Sequence, residues 1–274
     1  MTTIAYLGPE HTNTHLAALK RFGRRATYVH APTIDDVFQL VEREQADYGV
    51  VPIENSLEGA VTHTLDRFID FKKSPVTIHG EVEQQIHHFL VTHPGTIPKD
   101  IRLVFSHPQA LAQCRKWLSQ HLPYAHLRET NSTADAINSL LHERNTTHAA
   151  IGRQELAKEY KLSALCIPDD RENKTRFLII GLSFAKCGAR NKTSILMALK
   201  DRPGALYDAL MPFKRNRINL TKIESRPSKR KAWEYLFFID LEGHVSEPRV
   251  NRALKTLGQS TSMLRVLGSY PIAK

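Results

Sequence analysis

Asn173-Lys174-Thr175-Arg176-Phe177-Leu178-Ile179-Ile180-Gly181-Leu182 is the stretch on which the reading of this chain turns. The apolar run from Phe177 to Leu182 has the length and composition of a buried strand. Ahead of it stands an acidic loop with Asp169, Asp170 and Glu172. A hydroxyl and a guanidinium are thus set side by side where a loop enters a strand, and a rigid element there can hold both for a ligand. Thr175 offers one donor, and Arg176 a planar fork suited to a carboxylate. Taken alone, such a pair is more often a β-former beside a solvated charge. The weight therefore rests on the segments around it.

Working back toward the N-terminus, one arrangement recurs. Residues 3–7, 48–53, 86–91 and 102–105 read as strands, as does the run from 126 to 130. Several run into a short polar loop with a helix starting at once behind it. Those loops carry Thr12 and Thr14, Asn55 and Ser56, Ser106, and Ser132 and Thr133. Predicted helices cover about 15–22, a face with Val61, Leu65, Phe68 and Ile69, a run through Leu111, Cys114 and Leu118, and one through Ala136, Ile137, Leu140 and Leu141. Strands alternating with helices indicate an α/β domain. Ser and Thr in such loops are first of all helix caps, each worth ~1 kcal/mol. Ligands of open α/β sheets nevertheless bind beyond the carboxyl ends of the strands. Helix N-termini there present N–H groups and positive dipole ends to anions. The cleft reads as a site for a small molecule with more than one carboxylate.

Charge divides the chain. Residues 186–274 hold 18 Lys+Arg against 7 Asp+Glu, a balance of +11, which leaves 20 basic and 21 acidic residues, a balance of −1, in the remainder. The shift marks a domain boundary near Lys186-Cys187-Gly188-Ala189-Arg190-Asn191. Lys229-Arg230-Lys231 reads as a hairpin tip. No zinc pattern or RNA-stacking motif accompanies the basic charge, so a solvated surface is expected and specific nucleic-acid binding is not. No apolar run approaches the ~20 residues that cross a bilayer, so no membrane partner is expected. The N-terminus lacks the basic flank and apolar core of a secretory signal. Cys114, Cys166 and Cys187 are odd in number, widely spaced and without a metal-ligand pattern. Reduced thiols in a cytoplasmic protein are expected.

With these segments in hand, the chain resembles the prephenate dehydratase family nearly end to end. The landmarks are Tyr6-Leu7-Gly8-Pro9, Val51-Pro52-Ile53-Glu54-Asn55-Ser56 with Gly59, Ser106-His107-Pro108-Gln109-Ala110, Ser132-Thr133-Ala134, Ala149-Ala150-Ile151 and Asn173-Lys174-Thr175-Arg176-Phe177. The resemblance implies an α/β catalytic domain, residues 1–185, with two lobes similar to type II periplasmic-binding proteins and the substrate cleft between them. Residues 192–270 resemble an ACT domain, a βαββαβ regulatory module. Its expected elements are strand 193–199, helix 204–215, strands 218–225 and 233–241, helix 247–257 and strand 262–269. The chain begins at the catalytic part, so a monofunctional enzyme without a chorismate mutase region is expected.

The implied reaction converts prephenate to phenylpyruvate, with no cofactor and no metal. The implied catalytic residues are Thr175, Arg176 and Phe177. Thr12, Thr14, Asn55, Ser56, Gly59, Ser106, Ser132 and Thr133 are implied to hold the substrate, and Glu54 and His107 are candidate proton sources. Gly204, Ala205 and Leu206, with Glu224, Ser225, Arg226 and Pro227, match the stretches that bind L-phenylalanine in the family. A homodimer or homotetramer through the ACT domains would complete that effector site. Two other readings share these residues: arogenate dehydratase, and a ligand sensor of the same fold without turnover. One loop departs from the family pattern. Where a glycine and an aromatic are usual, this chain has His11 and Asn13, which restricts the backbone and replaces apolar wall by an amide.

Overall fold

The strand expected at Phe177 is present and central: it lies between two antiparallel partners inside a 10-stranded sheet. The structure is a computed structural model and describes residues 1–69, 74–168, 173–228 and 234–273. The acidic loop at Asp169, Asp170 and Glu172, the basic tip at Lys229-Arg230-Lys231 and the first residue of the strand expected at 233–241 lie outside the described residues.

The first lobe runs β1 (Thr3–Leu7), α1 (Asn13–Phe22), β2 (Thr27–Ala31), α2 (Ile34–Glu42), β3 (Tyr48–Asn55), β4 (Gly59–Ala60), α3 (Thr62–Ile69) and β5 (Thr77–Gln85). The second comprises β6 (Phe89–Thr92), β7 (Leu103–Ser106), α4 (Pro108–Gln113), α5 (Arg115–His121), β8 (His126–Glu129), α6 (Thr133–Glu143), β9 (His148–Gly152), α7 (Gln154–Glu159) and β10 (Ser163–Cys166). The chain then returns to the first lobe as β11 (Lys174–Gly181), between β3 and β5. The lobes are thus joined by two crossings, near residues 86–88 and before Lys174. That is the two-lobed α/β arrangement implied by the resemblance.

Two expectations shift locally. Residues 86–88 precede strand β6 rather than belong to it, and the helix through Leu111 and Leu118 breaks at Cys114 (φ −88°, ψ 1°) into α4 and α5. Apolar spacing alone cannot show such a break, because both pieces keep the same buried face.

The C-terminal unit runs β12 (Asn191–Leu199), α8 (Ala205–Arg215), β13 (Leu220–Pro227), β14 (Tyr235–Glu242), α9 (Pro248–Ser260) and β15 (Thr261–Pro271), the βαββαβ order of an ACT domain. Its strands, in the order β13-β14-β12-β15, continue directly into β5-β11-β3-β1-β2 of the first lobe. The weld is a parallel contact at Gly268 and Ile78, where a Cβ on Gly268 would stand 2.1 Å from the Ile78 carbonyl oxygen. Only glycine permits that approach. One apolar core crosses the weld, with Phe38, Val51, Leu178 and Ile180 of the first lobe packed with Leu196, Phe238 and Leu267 of the C-terminal unit. Among the described residues no helix is long and apolar enough to cross a membrane.

Candidate active site

Side chains on a strand alternate between its faces, and on β11 this separates residues that adjoin in sequence. Thr175 lies on one face and lines the cavity between the lobes. Phe177 follows on that face, fully buried against Tyr6, Ala17, Ala18 and Val82 beneath α1. Arg176 and Leu178 lie on the other face, toward the C-terminal unit.

The cavity measures about 210 Å3 and draws its walls from both lobes. Thr12, Asn13, Thr14, Asn55 and Thr175 come from the first lobe; His88, His107, Gln109, Gln113, Asn131, Ser132 and Thr133 face them from the second. Thr12 caps α1, its hydroxyl accepting from the His15 N–H at 3.3 Å and donating to the Leu7 carbonyl at 3.2 Å. Ser132 caps α6 by accepting from the Asp135 N–H at 3.0 Å. The N-termini of these two helices, one per lobe, therefore border the same cavity.

Asn55 stands opposite Thr175 on the paired strand β3. Its Oδ1 accepts from the N–H groups of Leu57 and Glu58 at 2.9 and 3.2 Å, which fixes the amide. The Nδ2 can then donate to the Thr175 Oγ1 and the Asn173 Oδ1, both at 3.0 Å. With its oxygen engaged as an acceptor, Thr175 keeps its own O–H to donate into the cavity. The network continues across the lobes: Asn173 Nδ2 donates to Gln113 Oε1 at 3.1 Å, and the same oxygen lies 2.7 Å from His88 Nε2. Asn173 belonged to the opening motif without a role. Gln113 and His88 carried no signal, because only folding brings α4 and the first crossing to the same place.

Burial pushes the imidazole of His107 below its ordinary pKa, only partly offset by Glu129. Its Nδ1 accepts from the Gln109 N–H at 3.3 Å, a role open to the neutral ring alone. His15 is lowered in the same way, by burial, and stacks on Tyr6 at 4.7 Å. The unusual loop is accommodated: His11 takes the left-handed conformation at φ 64°, and Asn13 Oδ1 accepts from Arg153 Nη1 of the facing lobe.

Five sequence expectations need correction. Arg176 does not face the cleft; its guanidinium is buried among Glu54, Glu81 and Asp240. Glu54, paired with Arg176 and with Lys222 of β13, is likewise turned away from the cavity. Ser106 is fully buried and donates to the Ile151 carbonyl at 2.9 Å. Ser56 caps no helix, because β3 continues through a turn into β4; its Oγ accepts from the Lys174 N–H at 2.9 Å. Gly59, at φ 84°, follows that turn as the first residue of β4, paired with Asn55, and is exposed. In each case the residue type suited a site while its strand position or its partner carried it elsewhere.

A prephenate dehydratase family model matches residues 4–183, and an ACT domain model matches residues 193–259. The chain belongs to the prephenate dehydratase family. It is 49% identical over 272 residues to a bifunctional chorismate mutase/prephenate dehydratase of Aquifex aeolicus, covering 98% of this chain and 74% of that protein. Similarity to a prephenate dehydratase of Methanocaldococcus jannaschii is 41% over 245 residues, 88% of this chain and 86% of that one. Among solved structures, prephenate dehydratase of Arthrobacter aurescens in complex with L-Phe superimposes with a TM-score of 0.89 at 34% identity, over 98% of this chain and 90% of the other. In this prephenate dehydratase family member, no group of three or more His, Cys, Asp or Glu side chains suited to a metal gathers among the described residues.

Proposed function

We propose that the cavity between the lobes binds prephenate and converts it to phenylpyruvate, with Thr175 as the hydrogen-bond donor to the departing hydroxyl. The observation that carries this is the Asn55–Thr175 pair. Its amide occupies the threonine oxygen at 3.0 Å and leaves the threonine proton to face a cavity bordered by two helix N-termini. Prephenate bears two carboxylates and a ring hydroxyl para to the carboxylate that leaves. As the carbon–carbon bond to that carboxylate breaks, its electron pair moves through the ring and expels the hydroxyl as hydroxide, giving CO2 and an aromatic ring; the hydroxide takes a proton from solvent to become water. Thr175 polarises the departing oxygen; its acidity is too low to lose the proton outright. With Arg176 turned away, the anionic substrate is held by the positive ends of α1 and α6 together with Thr12, Thr14, Ser132 and Thr133. Phe177 acts from below, as packing. Purified protein incubated with prephenate tests this directly. Phenylpyruvate should form, and its absence, or formation of product from arogenate alone, would overturn the substrate assignment.

Feedback by L-phenylalanine fits the C-terminal unit. Gly204 precedes α8 at φ 78°, and Gly204, Ala205 and Leu206 line a cavity of about 570 Å3 with Tyr207, Tyr235 and Phe237. Glu224, Ser225, Arg226 and Pro227 do not share this cavity; they lie on β13, the edge strand of the sheet. A second copy of the chain would bring the two stretches together, in a homodimer or in a homotetramer built from such dimers. Leu206, Tyr207, Ile223 and Tyr235, all exposed, would be covered. Sedimentation should show a dimer or larger, and calorimetry should show L-phenylalanine binding; a monomer without binding would defeat this reading. Cys114, Cys166 and Cys187 form no disulfide with one another, and a cytoplasmic setting is inferred from that usage.

A further inference from the structure

On two neighbouring rungs of the β3–β11 ladder, Thr175 pairs with Asn55 and Arg176 with Glu54. The first rung carries the two groups that meet at the cleft. The second carries two charges that meet the C-terminal unit. Arg176 Nε lies 2.7 Å from Glu54 Oε1, while its Nη1 lies 3.1 Å from Glu81 and 2.7 Å from Asp240 of β14. Lys192 of β12 pairs with Glu81 at 2.8 Å, and Lys222 of β13 pairs with Glu54. Ser194 donates to the second oxygen of Asp240 at 2.6 Å and lies 2.7 Å from the Tyr270 hydroxyl. Three cations thus meet three carboxylates at a buried junction, and each carboxylate is shared between strands that belong to different parts of the molecule.

We propose that Arg176 is a positioning residue: through the Lys222–Glu54–Arg176–Asp240 cluster the C-terminal unit sets the register of the rung that presents Thr175 and Asn55. The strand period explains how this works. A backbone displacement of β11 at Arg176 moves Thr175, one peptide away on the opposite face, by a comparable amount. The ladder to β3 is irregular at this place, with a register shift between Arg176 and Phe177, whereas the pairing with β5 runs regularly through Arg176 and Glu83. On the β3 side the charges supply the hold that the shifted ladder does not. Lys222 is on the same strand as Glu224-Ser225-Arg226-Pro227, and Arg226 pairs with Asp66 of α3 at 3.2 Å. The strand expected to sense an effector therefore grips the catalytic lobe at two points. Misplacement of about 1 Å is enough to cost ~10²-fold in rate, so a small shift of β13 against β3 suffices.

This proposal rests on the role given to Thr175, and the test separates the two. Lys222→Met removes the grip on Glu54 while leaving Arg176 between Glu81 and Asp240, and its kcat is measured in two backgrounds. With Thr175 present, kcat should fall about tenfold with KM within about threefold, and Lys222→Arg should restore most of it. In a Thr175→Ala background the same substitution should change kcat less than about twofold, because there is no hydroxyl left to misplace. Arg176→Lys serves as the second variant and should show the same background dependence. Equal losses in both backgrounds, or no loss in either variant at native folding by circular dichroism, would overturn the relay. Full activity of Thr175→Ala itself would remove the Thr175 reading, and this proposal with it.

Discussion

Asn55 Nδ2 lies 3.0 Å from Thr175 Oγ1, directly across paired strands whose residues are 120 positions apart in sequence. The amide is itself held by two backbone N–H groups, so it enforces the direction of the threonine proton rather than merely sharing a bond. Removing the Thr175 hydroxyl should lower kcat roughly 10²–10³-fold, the usual loss for one transition-state donor. Thr175→Ser should retain most of the activity. Asn55→Ala leaves the hydroxyl but not its orientation and should cost about 5–10-fold, the equivalent of one net hydrogen bond of ~1 kcal/mol. Steady-state kinetics on prephenate decides; Asn55→Ala at the wild-type rate would show that the threonine orients itself.

Arg176 should matter to stability as well as to rate. Arg176→Met strips Asp240 and Glu81 of a buried partner, and breaking such a cluster on one side costs about 3–5 kcal/mol. Urea denaturation should show that loss. A change below about 1 kcal/mol would mean that water reaches the cluster.

His11→Gly should stabilise the protein. A residue with a Cβ in the left-handed region costs about 1–2 kcal/mol, which glycine relieves, while the weak exposed contact of His11 with Glu159 at 3.7 Å is lost. The melting temperature should rise by a few degrees; a fall would show that the loop needs the imidazole.

Stability should decline as pH falls from about 7 to 5. Burial lowers the pKa values of His15 and His107 in the folded chain, whereas unfolded histidines titrate near ~6.5. The unfolded state then binds protons first, so stability is complete above that value and is lost as pH falls through the lowered folded values. Asp240, which burial would raise but which Arg176, Ser194 and Lys192 hold below the ordinary carboxylate range, adds loss in the same direction at lower pH. His107→Asn keeps a side-chain acceptor for the Gln109 N–H and removes one titrating ring. Its melting temperature should fall less between pH 7 and 5. An unchanged pH dependence would show that His107 does not contribute.

Local pattern determined much of this protein by itself. The buried apolar run of β11, the alternation of strands and helices and the caps at Thr12 and Ser132 were legible because each depends on residues close in sequence, and the six elements of the C-terminal unit followed from the resemblance to an ACT domain. Tertiary structure decided where neighbouring side chains point and what they meet. Thr175 and Arg176 share a peptide bond, yet one faces the cleft and the other a buried charge cluster, since a strand alternates faces and each face has its own neighbours. Ser106 has the same hydroxyl as Ser132, but one ends a strand against the Ile151 carbonyl and the other caps an 11-residue helix at the cavity. Gln113, His88 and Lys222 acquired partners only when strands and helices from distant parts of the chain were brought together. A partner's identity over such separations is a property of packing, and no local sequence signal encodes it.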